Sequence, residues 1–341
     1  MGINRVLVIG EQSLGFVLGG LLSGAGMDVT FVIDDEYQYY SLTKNGLYLF
    51  GRGIEKTLEI HTESDFSDLS GVYDFLIFCS SRLDRVHDIS FLLDHVHPDT
   101  AVLCCQNGIV EDIVEDILAG HTIISFESGI VSASHAPGNV EIKKIDTSYI
   151  GIWRGSRRIF QEYFRLFNSF IPLTERGGIV SALYSNLVFN ACLGPICAIS
   201  GIPYGTMLRN QRFRSLIIGV MSEAIQVADA MGIKVEPYKR VFDYYSYLRG
   251  DNHMARFNRN LVLFLVSFGY EERISPQLRA ILDGKKADID SLNGFITRCA
   301  RSSGIITPLN DLLINMVKEI ENKNRQIGVE NFEQEFFYFY G

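Results

Sequence analysis

The segment at residues 10–15, Gly-Glu-Gln-Ser-Leu-Gly, constrains the fold of this chain more than any other feature. It follows an apolar run at residues 5–9 that is typical of a buried strand, and it precedes a helix-like stretch at residues 16–25. A strand, a tight turn and a helix start, in that order, open a dinucleotide-binding βαβ unit. The free N–H groups and partial positive charge of a helix N-terminus favour a bound pyrophosphate. The segment therefore predicts a nucleotide site.

The turn departs from the usual Gly-x-Gly-x-x-Gly pattern at one position. Gln12 stands where a second glycine would let the backbone approach the phosphates. A plain strand-to-helix turn is therefore the alternative interpretation. If the turn binds a nucleotide, its cofactor contacts come from Gly10, Gln12, Ser13, Leu14 and Gly15.

The acidic sequence after the second strand-like run bears on which nucleotide would bind. Asp34 follows the apolar run at residues 29–33. An acidic side chain at this place usually accepts hydrogen bonds from the adenosine ribose hydroxyls, and it would repel the 2′-phosphate of NADP. Asp34 thus favours NAD(H). The alternative is an acidic loop or a helix cap, because Asp is common at helix N-termini.

The first half of the chain alternates strand-like and helix-like segments, which predicts an α/β fold with a doubly wound, mostly parallel, Rossmann-like sheet. The strand-like runs are residues 6–9, 29–33, 75–79, 101–105, 123–125, 127–134, 140–144, 147–153 and 171–174, and one helix is expected at 157–169.

The second half shows apolar residues at helical spacing instead, which predicts an all-α domain. The helical segments are residues 181–199, 212–231, 236–247, 291–303 and 308–324. Two adjacent glycines at 177 and 178 break the pattern between the halves. We therefore expect a dinucleotide-binding Rossmann-like domain at residues 1–176 and an all-helical substrate and dimerisation domain at residues 177–341.

Composition and charge exclude some classes of function. The formal net charge of −9 disfavours a nucleic-acid partner, because phosphate backbones need clustered Lys and Arg. We expect no membrane partner, since no uncharged apolar run comes near the roughly 18 residues of a membrane span. The first strand begins too early for a signal peptide. The six cysteines form no C-x-x-C pair, and we expect them to be reduced thiols in the core of a cytoplasmic protein. We expect no metal site.

The last residues are unusually aromatic, since residues 336–340 read Phe-Phe-Tyr-Phe-Tyr. We expect this tail to pack on the helical domain. A contact between subunits of a homodimer is the alternative.

Six short motifs then follow one another in a characteristic order. They are Gln106-Asn107-Gly108, Pro137-Gly138, the pair Asn186 and Asn190, and the segments 223–232 (Glu-Ala-Ile-Gln-Val-Ala-Asp-Ala-Met-Gly), 288–294 (Asp-Ile-Asp-Ser-Leu-Asn-Gly) and 304–310 (Gly-Ile-Ile-Thr-Pro-Leu-Asn). Each motif is weak alone, but in this order the chain resembles the ketopantoate reductase (2-dehydropantoate 2-reductase) family from Val6 to about Val317.

The resemblance implies an activity and a set of site residues. The family reduces ketopantoate to pantoate with NADPH on the route to pantothenate, and the developing alkoxide must be protonated or stabilised. By resemblance, Asn107 lies on the nicotinamide side of the cleft, and Asn186 and Asn190 orient the substrate. Ser275 matches a serine that contacts the substrate carboxylate. Asp288 stands where the family has a glutamate, although it could equally be a helix N-cap.

The chain departs from the family pattern at the chemistry itself. Ala182 stands where the family has its general-acid lysine, and Tyr184, the nearest titratable neighbour, should face away on a helix. The family has a basic residue where this chain has Asp34, and a further lysine aligns with Ser81, next to Arg82. Arg82 would contact a phosphate or lie on the surface.

Three hypotheses follow from these departures. The first is a divergent reductase of a small 2-oxo acid, in which a water or another acid replaces the lysine. The second is a non-catalytic dinucleotide-binding sensor or partner protein with the same fold. The third is a different enzyme with an unrelated substrate, because fold does not fix function. Asp34 favours NADH and the resemblance favours NADPH, so the choice of cofactor stays open.

Overall fold

The structure is a computed structural model that describes residues 4–10, 12–79, 87–105, 108–239, 241–250 and 252–333. The chain divides into two compact units. The sheet unit comprises residues 1–106 and 110–179, and the helical unit comprises residues 107–109 and 180–341. The short segment 107–109 therefore belongs to the helical unit although it is bounded by the sheet unit on both sides in sequence.

The sheet unit holds twelve strands within the described residues. They are β1 (Arg5–Ile9), β2 (Asp28–Val32), β3 (Leu47–Gly51), β4 (Ile54–Leu58), β5 (His61–Glu63), β6 (Tyr73–Phe78), β7 (Val96–Cys104), β8 (Thr122–Glu127), β9 (Ile130–Ala136), β10 (Asn139–Ile145), β11 (Ser148–Arg154) and β12 (Leu173–Glu175). Its helices are α1 (Ser13–Gly24), α2 (Glu36–Asn45), α3 (Glu111–Ile117) and α4 (Arg157–Asn168), with 3₁₀ segments at Phe66–Asp68 and His87–His95.

Eight of these strands form one sheet in the order β12-β11-β8-β7-β6-β1-β2-β5. Strand β1 pairs in parallel with β2 on one side and with β6 on the other. The pairs β2–β5, β6–β7 and β7–β8 are also parallel, whereas β11 runs antiparallel to β8. The strand order reverses between β1 and β6, which is the switch point where doubly wound sheets bind ligands. The predicted fold class is confirmed.

Apolar residues on both faces of β1 explain why this sheet is covered on both sides. Val6 and Val8 point into one core with Phe16 of α1, and Leu7 and Ile9 point into a second core on the opposite face. All five side chains are almost fully buried. A strand with this pattern is stable only in the interior of the sheet.

A second sheet of four strands, in the order β4-β3-β10-β9, belongs to the same unit. Strands β3 and β4 form an antiparallel hairpin, and β3 pairs in parallel with β10. Pro137-Gly138 forms the predicted turn between β9 and β10, and Gly138 has a φ of 74°. The sequence patterns did not indicate β3, β4 or β5.

The helical unit contains nine helices within the described residues. They are α5 (Ile179–Ser200), α6 (Tyr204–Arg209), α7 (Gln211–Ala230), α8 (Tyr244–Leu248), α9 (His253–Val266), α10 (Pro276–Leu282), α11 (Asn293–Ser302), α12 (Pro308–Glu321) and α13 (Glu330–Phe332), with a 3₁₀ segment at Ser267–Gly269.

The helix predicted at residues 236–247 is wrong for its first two turns. Tyr238 and Phe242 form an isolated antiparallel bridge, and Lys239 has a left-handed φ of 51°. A right-handed helix cannot continue through a residue in this left-handed conformation. Only α8 remains, and the side chain of Asp243 caps it by accepting from the Tyr245 N–H.

The expectation that no apolar run reaches the length of a membrane span was also wrong. Helix α5 has 22 residues and is apolar enough to cross a membrane by length and composition alone. Of its most apolar window, 83% is buried inside the protein, and it is therefore a core helix.

Candidate functional site

The turn between β1 and α1 has the geometry that the predicted nucleotide site needs. Gly10 adopts a φ of 113°, a conformation open mainly to glycine. The N–H groups of Gly15 and Phe16 donate to the carbonyl of Gln12 at 2.9 and 3.3 Å. Since the first N–H groups of a helix have no intrahelical acceptor, Ser13 and Leu14 offer backbone donors here.

Gly15 allows α1 to approach the end of the sheet closely. A Cβ atom at Gly15 would lie 3.1 Å from Cys79 Cβ and 3.4 Å from Val8 Cγ1. This is the close helix–strand packing for which the last glycine of a dinucleotide-binding turn is required. The turn therefore fits a dinucleotide even though Gln12 replaces the middle glycine.

The side chains of Ser13 and Leu14 contribute to the fold. The Ser13 hydroxyl accepts a hydrogen bond from the Ser132 hydroxyl of β9 at 2.9 Å. Leu14 packs against the apolar core beneath the sheet. Their backbone N–H groups can therefore contact a nucleotide without disturbing these side-chain contacts.

The acidic residues after β2 have separate roles. Asp35 caps α2, because its carboxylate accepts a hydrogen bond from the Gln38 N–H at 2.7 Å. Asp34 is exposed and follows buried Ile33 at the carboxyl end of β2. The helix-cap alternative thus applies to Asp35, and a ribose-binding role remains a prediction for Asp34.

Three predicted site residues, Asn107, Ser81 and Arg82, lie outside the described residues. Gly108, which follows Asn107, is among the described residues. Gly108 has a φ of 102°, and a Cβ atom there would lie 2.5 Å from Ser291 Oγ. The Ile109 N–H donates to the Ser291 carbonyl at 3.0 Å. Gly108, the last residue of one motif, and Ile109 therefore lie against Ser291 of the distant segment 288–294.

Asp288 lies at this same junction. The Ser291 hydroxyl donates to the Asp288 carboxylate, whereas α11 begins later, after Leu292. Asp288 is thus not the residue that caps α11. Asp288 as a whole residue keeps some contact with solvent. Burial of its carboxyl group raises the pKa well above the usual value. The hydrogen bond from Ser291 opposes this shift, and the charge of nearby Asp290 adds to it.

Asn186 and Asn190 lie half-buried on α5, among residues that are almost completely buried. The side-chain N–H of Asn293 donates to the carbonyl of Ala191 at 3.1 Å, directly after Asn190. The segment that carries Asp288 therefore passes α5 at the turn of Asn190. The structure brings Gly108, Asp288 and the Asn190 turn into one region of the helical unit.

At Ala182, where the resemblance predicts the loss of a lysine, the neighbouring titratable residue Tyr184 offers no free proton in its place. Ala182 is buried, with 4% of its surface exposed. The Tyr184 hydroxyl donates to the Ala224 carbonyl of α7 at 3.0 Å, and burial raises its pKa. Tyr184 therefore has its proton engaged in the interior, as its position on the helix predicts.

Ser275 has a structural role in the helical unit. Its side chain caps α10 by accepting from the Leu278 N–H at 2.9 Å, and its own N–H donates to Cys197 Sγ at 3.2 Å. These contacts tie Ser275 to α5 and α10 and not to the Asp288 segment. A substrate contact remains a prediction for this residue.

A buried polar network in the helical unit was not recognised from the sequence. The Glu223 carboxylate accepts hydrogen bonds from the Leu309 N–H at 2.9 Å and from the Asn310 N–H and side-chain amide at 3.0 and 2.6 Å. The side chain of Asn293 donates in turn to Asn310 at 2.9 Å. These residues belong to the last three of the six sequence motifs. The sequence therefore identified the residues, but it did not indicate that they form a buried hydrogen-bond network.

No group of three or more His, Cys, Asp or Glu side chains within the described residues could hold a metal ion. All six cysteines are free, and five of them are buried. Cys79 and Cys105 are neighbours at the ends of β6 and β7, with their sulfur atoms 2.6 Å apart.

Comparison with known proteins agrees with this architecture. Residues 6–155 match the family described as ketopantoate reductase PanE/ApbA, and residues 179–321 match its C-terminal domain. The chain is 26% identical over 326 residues to 2-dehydropantoate 2-reductase of Pyrococcus horikoshii, covering 93% of this chain and 98% of that protein.

Two solved structures share the fold. A ketopantoate reductase from Ralstonia eutropha superposes with a TM-score of 0.71 at 22% identity, covering 94% of this chain and 99% of that one. D-mandelate dehydrogenase with NADH and anilino(oxo)acetate superposes with a TM-score of 0.72 at 18% identity, over the same shares of both chains. Because both domains match in order and span most of the sequence, the chain belongs to the ketopantoate reductase family, a family of oxidoreductases with a Rossmann-type fold.

Proposed function

We propose that this protein reduces the ketone of a small 2-oxo acid with NADH, and that Asp288 supplies the proton that the family takes from lysine. The observation that carries the proposal is the junction at Ser291, whose hydroxyl donates to the Asp288 carboxyl group and whose carbonyl accepts from the Ile109 N–H, beside Gly108. Burial raises the pKa of this carboxyl group. Related proteins named 2-dehydropantoate 2-reductase support the reaction class.

The turn between β1 and α1 would hold the pyrophosphate through the Gly10 conformation and the N–H groups at the start of α1. The exposed Asp34 carboxylate would accept hydrogen bonds from the ribose hydroxyls, and it disfavours a 2′-phosphate. A bound nicotinamide dinucleotide supplies a hydride. The D-mandelate dehydrogenase of the same fold contains NADH, which supports this choice.

The role of Asp288 follows from its protonation state. A carboxyl group with a pKa raised by burial holds its proton closer to neutral pH than an exposed aspartate does. It can donate that proton to an alkoxide, as the family lysine would. Ser291 fixes the orientation of the carboxyl group, and the amides of Asn186 and Asn190 would orient the substrate.

The first experiment is a substrate panel with purified protein. Ketopantoate and aryl 2-oxo acids are the first candidates, because relatives are named for the former and a fold neighbour is bound to anilino(oxo)acetate. We expect oxidation of NADH at 340 nm with at least one of them, a wavelength set by the reduced nicotinamide. Absence of turnover with both NADH and NADPH would refute the proposal.

A non-catalytic nucleotide-binding protein is the second candidate, and buried Ala182 favours it, because the usual general acid is absent. Titration calorimetry with NADH and NADPH separates the two candidates. Binding without turnover supports the second, and binding of neither nucleotide excludes both.

The cofactor assignment is tested with Asp34→Arg. We expect this variant to bind NADPH more tightly and NADH more weakly than the unmodified protein, because the change replaces a ribose acceptor with a phosphate partner. Glu36→Arg is a matched control, since Glu36 is also exposed and undergoes the same change of charge two residues along the chain. Equal effects of the two variants would contradict a specific role of Asp34.

The role of Asp288 is tested with Asp288→Asn. We expect a loss of about 10²–10⁴-fold in kcat, which is the usual contribution of a general acid. Activity of the unmodified protein should fall as the pH rises through the raised pKa of Asp288. Asp288→Glu should keep more activity than Asp288→Asn, because it retains a carboxyl group. Asp283→Asn is the control, because Asp283 is an exposed carboxylate at the end of α10 in the same unit. An unchanged kcat in Asp288→Asn would exclude the role.

A further inference from the structure

Helix α9 exposes an apolar stripe on the surface of the helical unit. The members of this stripe are Met254, Phe257, Leu261, Phe264, Leu265 and Phe268, and the last of them lies in the 3₁₀ segment that directly follows the helix. At about 100° per residue, all six lie within roughly 60° of Leu261 around the helix axis. Their spacing of three and four residues is that of a helix seam that packs against another helix.

The opposite face of α9 is already occupied by its own unit. Leu263 is only 6% exposed. Arg259 donates to two carbonyls of the segment before α9 at 3.2 and 2.6 Å, and the Asn260 side chain accepts from Arg214 of α7 at 2.9 Å. A helix that is apolar on two faces is typical of a protein interior and not of a surface. The stripe therefore indicates an interaction surface.

The stripe is large enough for a stable interface. Met254 and Phe257 keep 66% and 62% of their surface exposed, and Leu265 and Phe268 keep 58% and 57%. At roughly 200 Å² for a fully exposed large apolar side chain, the six residues together offer about 600 Å². This is the upper end of what a typical monomer exposes in one patch, about 300–600 Å², and it approaches the roughly 800 Å² that each partner buries in a standard interface.

The stripe is symmetric about its own centre, and this property selects the partner. Phe257 and Met254 stand four and seven residues before Leu261, and Leu265 and Phe268 stand four and seven residues after it. A two-fold axis through Leu261 therefore matches the stripe of one helix to that of a second, antiparallel copy. An interface between two identical chains needs such self-complementarity, whereas an unrelated partner does not.

The charges on α9 allow two copies to pair. Arg256 and Arg259 are the only charged residues between Met254 and Phe268. They lie roughly 140° and 160° away from Leu261 around the helix, so pairing brings no like charges together along the stripe. A membrane surface is a poorer partner, because anionic lipids repel a protein with a net charge of −9.

We propose that α9 is the contact surface of a homodimer, in which the stripes of two copies pack antiparallel across a two-fold axis at Leu261. The proposal goes beyond the reaction, since no residue of the stripe belongs to the candidate site. The aromatic residues 336–340, which we expect to pack on this unit, lie outside the described residues, and the proposal does not use them.

The mass of the protein in solution is the first measurement. We expect light scattering at micromolar concentration to give twice the chain mass of 38.4 kDa. Leu261→Glu places two like charges opposite each other at the axis and should weaken the dimer by about 10²-fold or more. Leu282→Glu is the matched control, because Leu282 is 65% exposed on α10 of the same unit and lies outside the stripe. A monomer throughout, or equal effects of the two variants, would overturn the proposal.

Cross-linking tests the antiparallel arrangement and does not depend on the folding of Leu261→Glu. A mixture of Met254→Cys and Phe268→Cys proteins should form a disulfide-linked pair under mild oxidation, and neither variant should do so alone. The unmodified protein is the control for its own cysteines, of which Cys299 is partly exposed. Cross-links within one variant alone, or none in the mixture, would contradict the arrangement. Binding of monomers to vesicles that contain phosphatidylserine would also overturn the proposal, because it would assign the stripe to a membrane.

Discussion

Glu111 gives the protein a pH-dependent stability that can be calculated from its surroundings. The residue begins α3 and has 1% of its surface exposed. Its carboxylate accepts a hydrogen bond from the Val110 N–H at 3.0 Å, which opposes the effect of burial only in part. Burial raises the pKa of Glu111 from 4.5 to about 7.

The sign and size of the effect follow from linkage between protonation and folding. Because the pKa in the folded state lies above that in the unfolded state, the protonated form stabilises the fold. This contribution is complete below about pH 4.5 and is lost as the pH rises through about 7. A difference of roughly 2.5 pH units at 1.36 kcal/mol per unit corresponds to about 3 kcal/mol.

Glu111→Gln removes the titrating group while keeping its size. We expect the difference in free energy of unfolding between the unmodified protein and this variant to change by about 3 kcal/mol between pH 4.5 and pH 8. Urea unfolding followed by the fluorescence of Trp153, which lies on β11 in the same unit, measures it. Asp116→Asn, on the exposed side of the same helix, is the control. A constant difference across this pH range would refute the reasoning.

Three further outcomes can be measured directly. Gly108→Ala should lower the melting temperature, because its Cβ would lie 2.6 Å from the Ser291 carbonyl at a φ of 102° and cost at least about 2 kcal/mol. Glu223→Ala should destabilise the helical unit by about 3 kcal/mol in urea unfolding, since it leaves three donors from Leu309 and Asn310 without an acceptor, while Glu223→Gln should cost less. A thiol reagent should find one rapidly reacting cysteine, Cys299, in the native protein and six after denaturation.

The fold class could be predicted because apolar periodicity changes from strand-like to helical near residue 178. Strands such as β1 are buried on both faces and give an unmistakable continuous apolar run. The hairpin of β3 and β4 gives no such signal. Strand β4 is largely exposed. The turn before it places Arg52 at a φ of 52°, whereas the usual sequence signal for such a hairpin turn is Asn at this position.

The candidate site was predictable only where it depends on local sequence. The glycine turn after β1 and the acidic end of β2 each involve consecutive residues, so the sequence indicates them directly. Which acidic residue caps α2 was not predicted, and the structure shows that it is Asp35. The junction at Ser291 could not be predicted, because it joins Ile109 to a residue 182 positions later. The raised pKa of Asp288 could not be predicted either, since burial of a carboxyl group is set by tertiary packing.

The buried network of Glu223, Asn293 and Asn310 gives three of the six sequence motifs a structural role that is independent of the proton donor. These residues connect α7, α11 and α12 to one another and, through the Ala191 carbonyl, to α5. A change in any of them would leave a buried polar group without a partner, which costs about 1–3 kcal/mol. Ala182 carries no such cost, because a small apolar residue is readily buried. These three motifs therefore meet a requirement of the helical scaffold, and the proposed change of proton donor would leave that requirement unaltered.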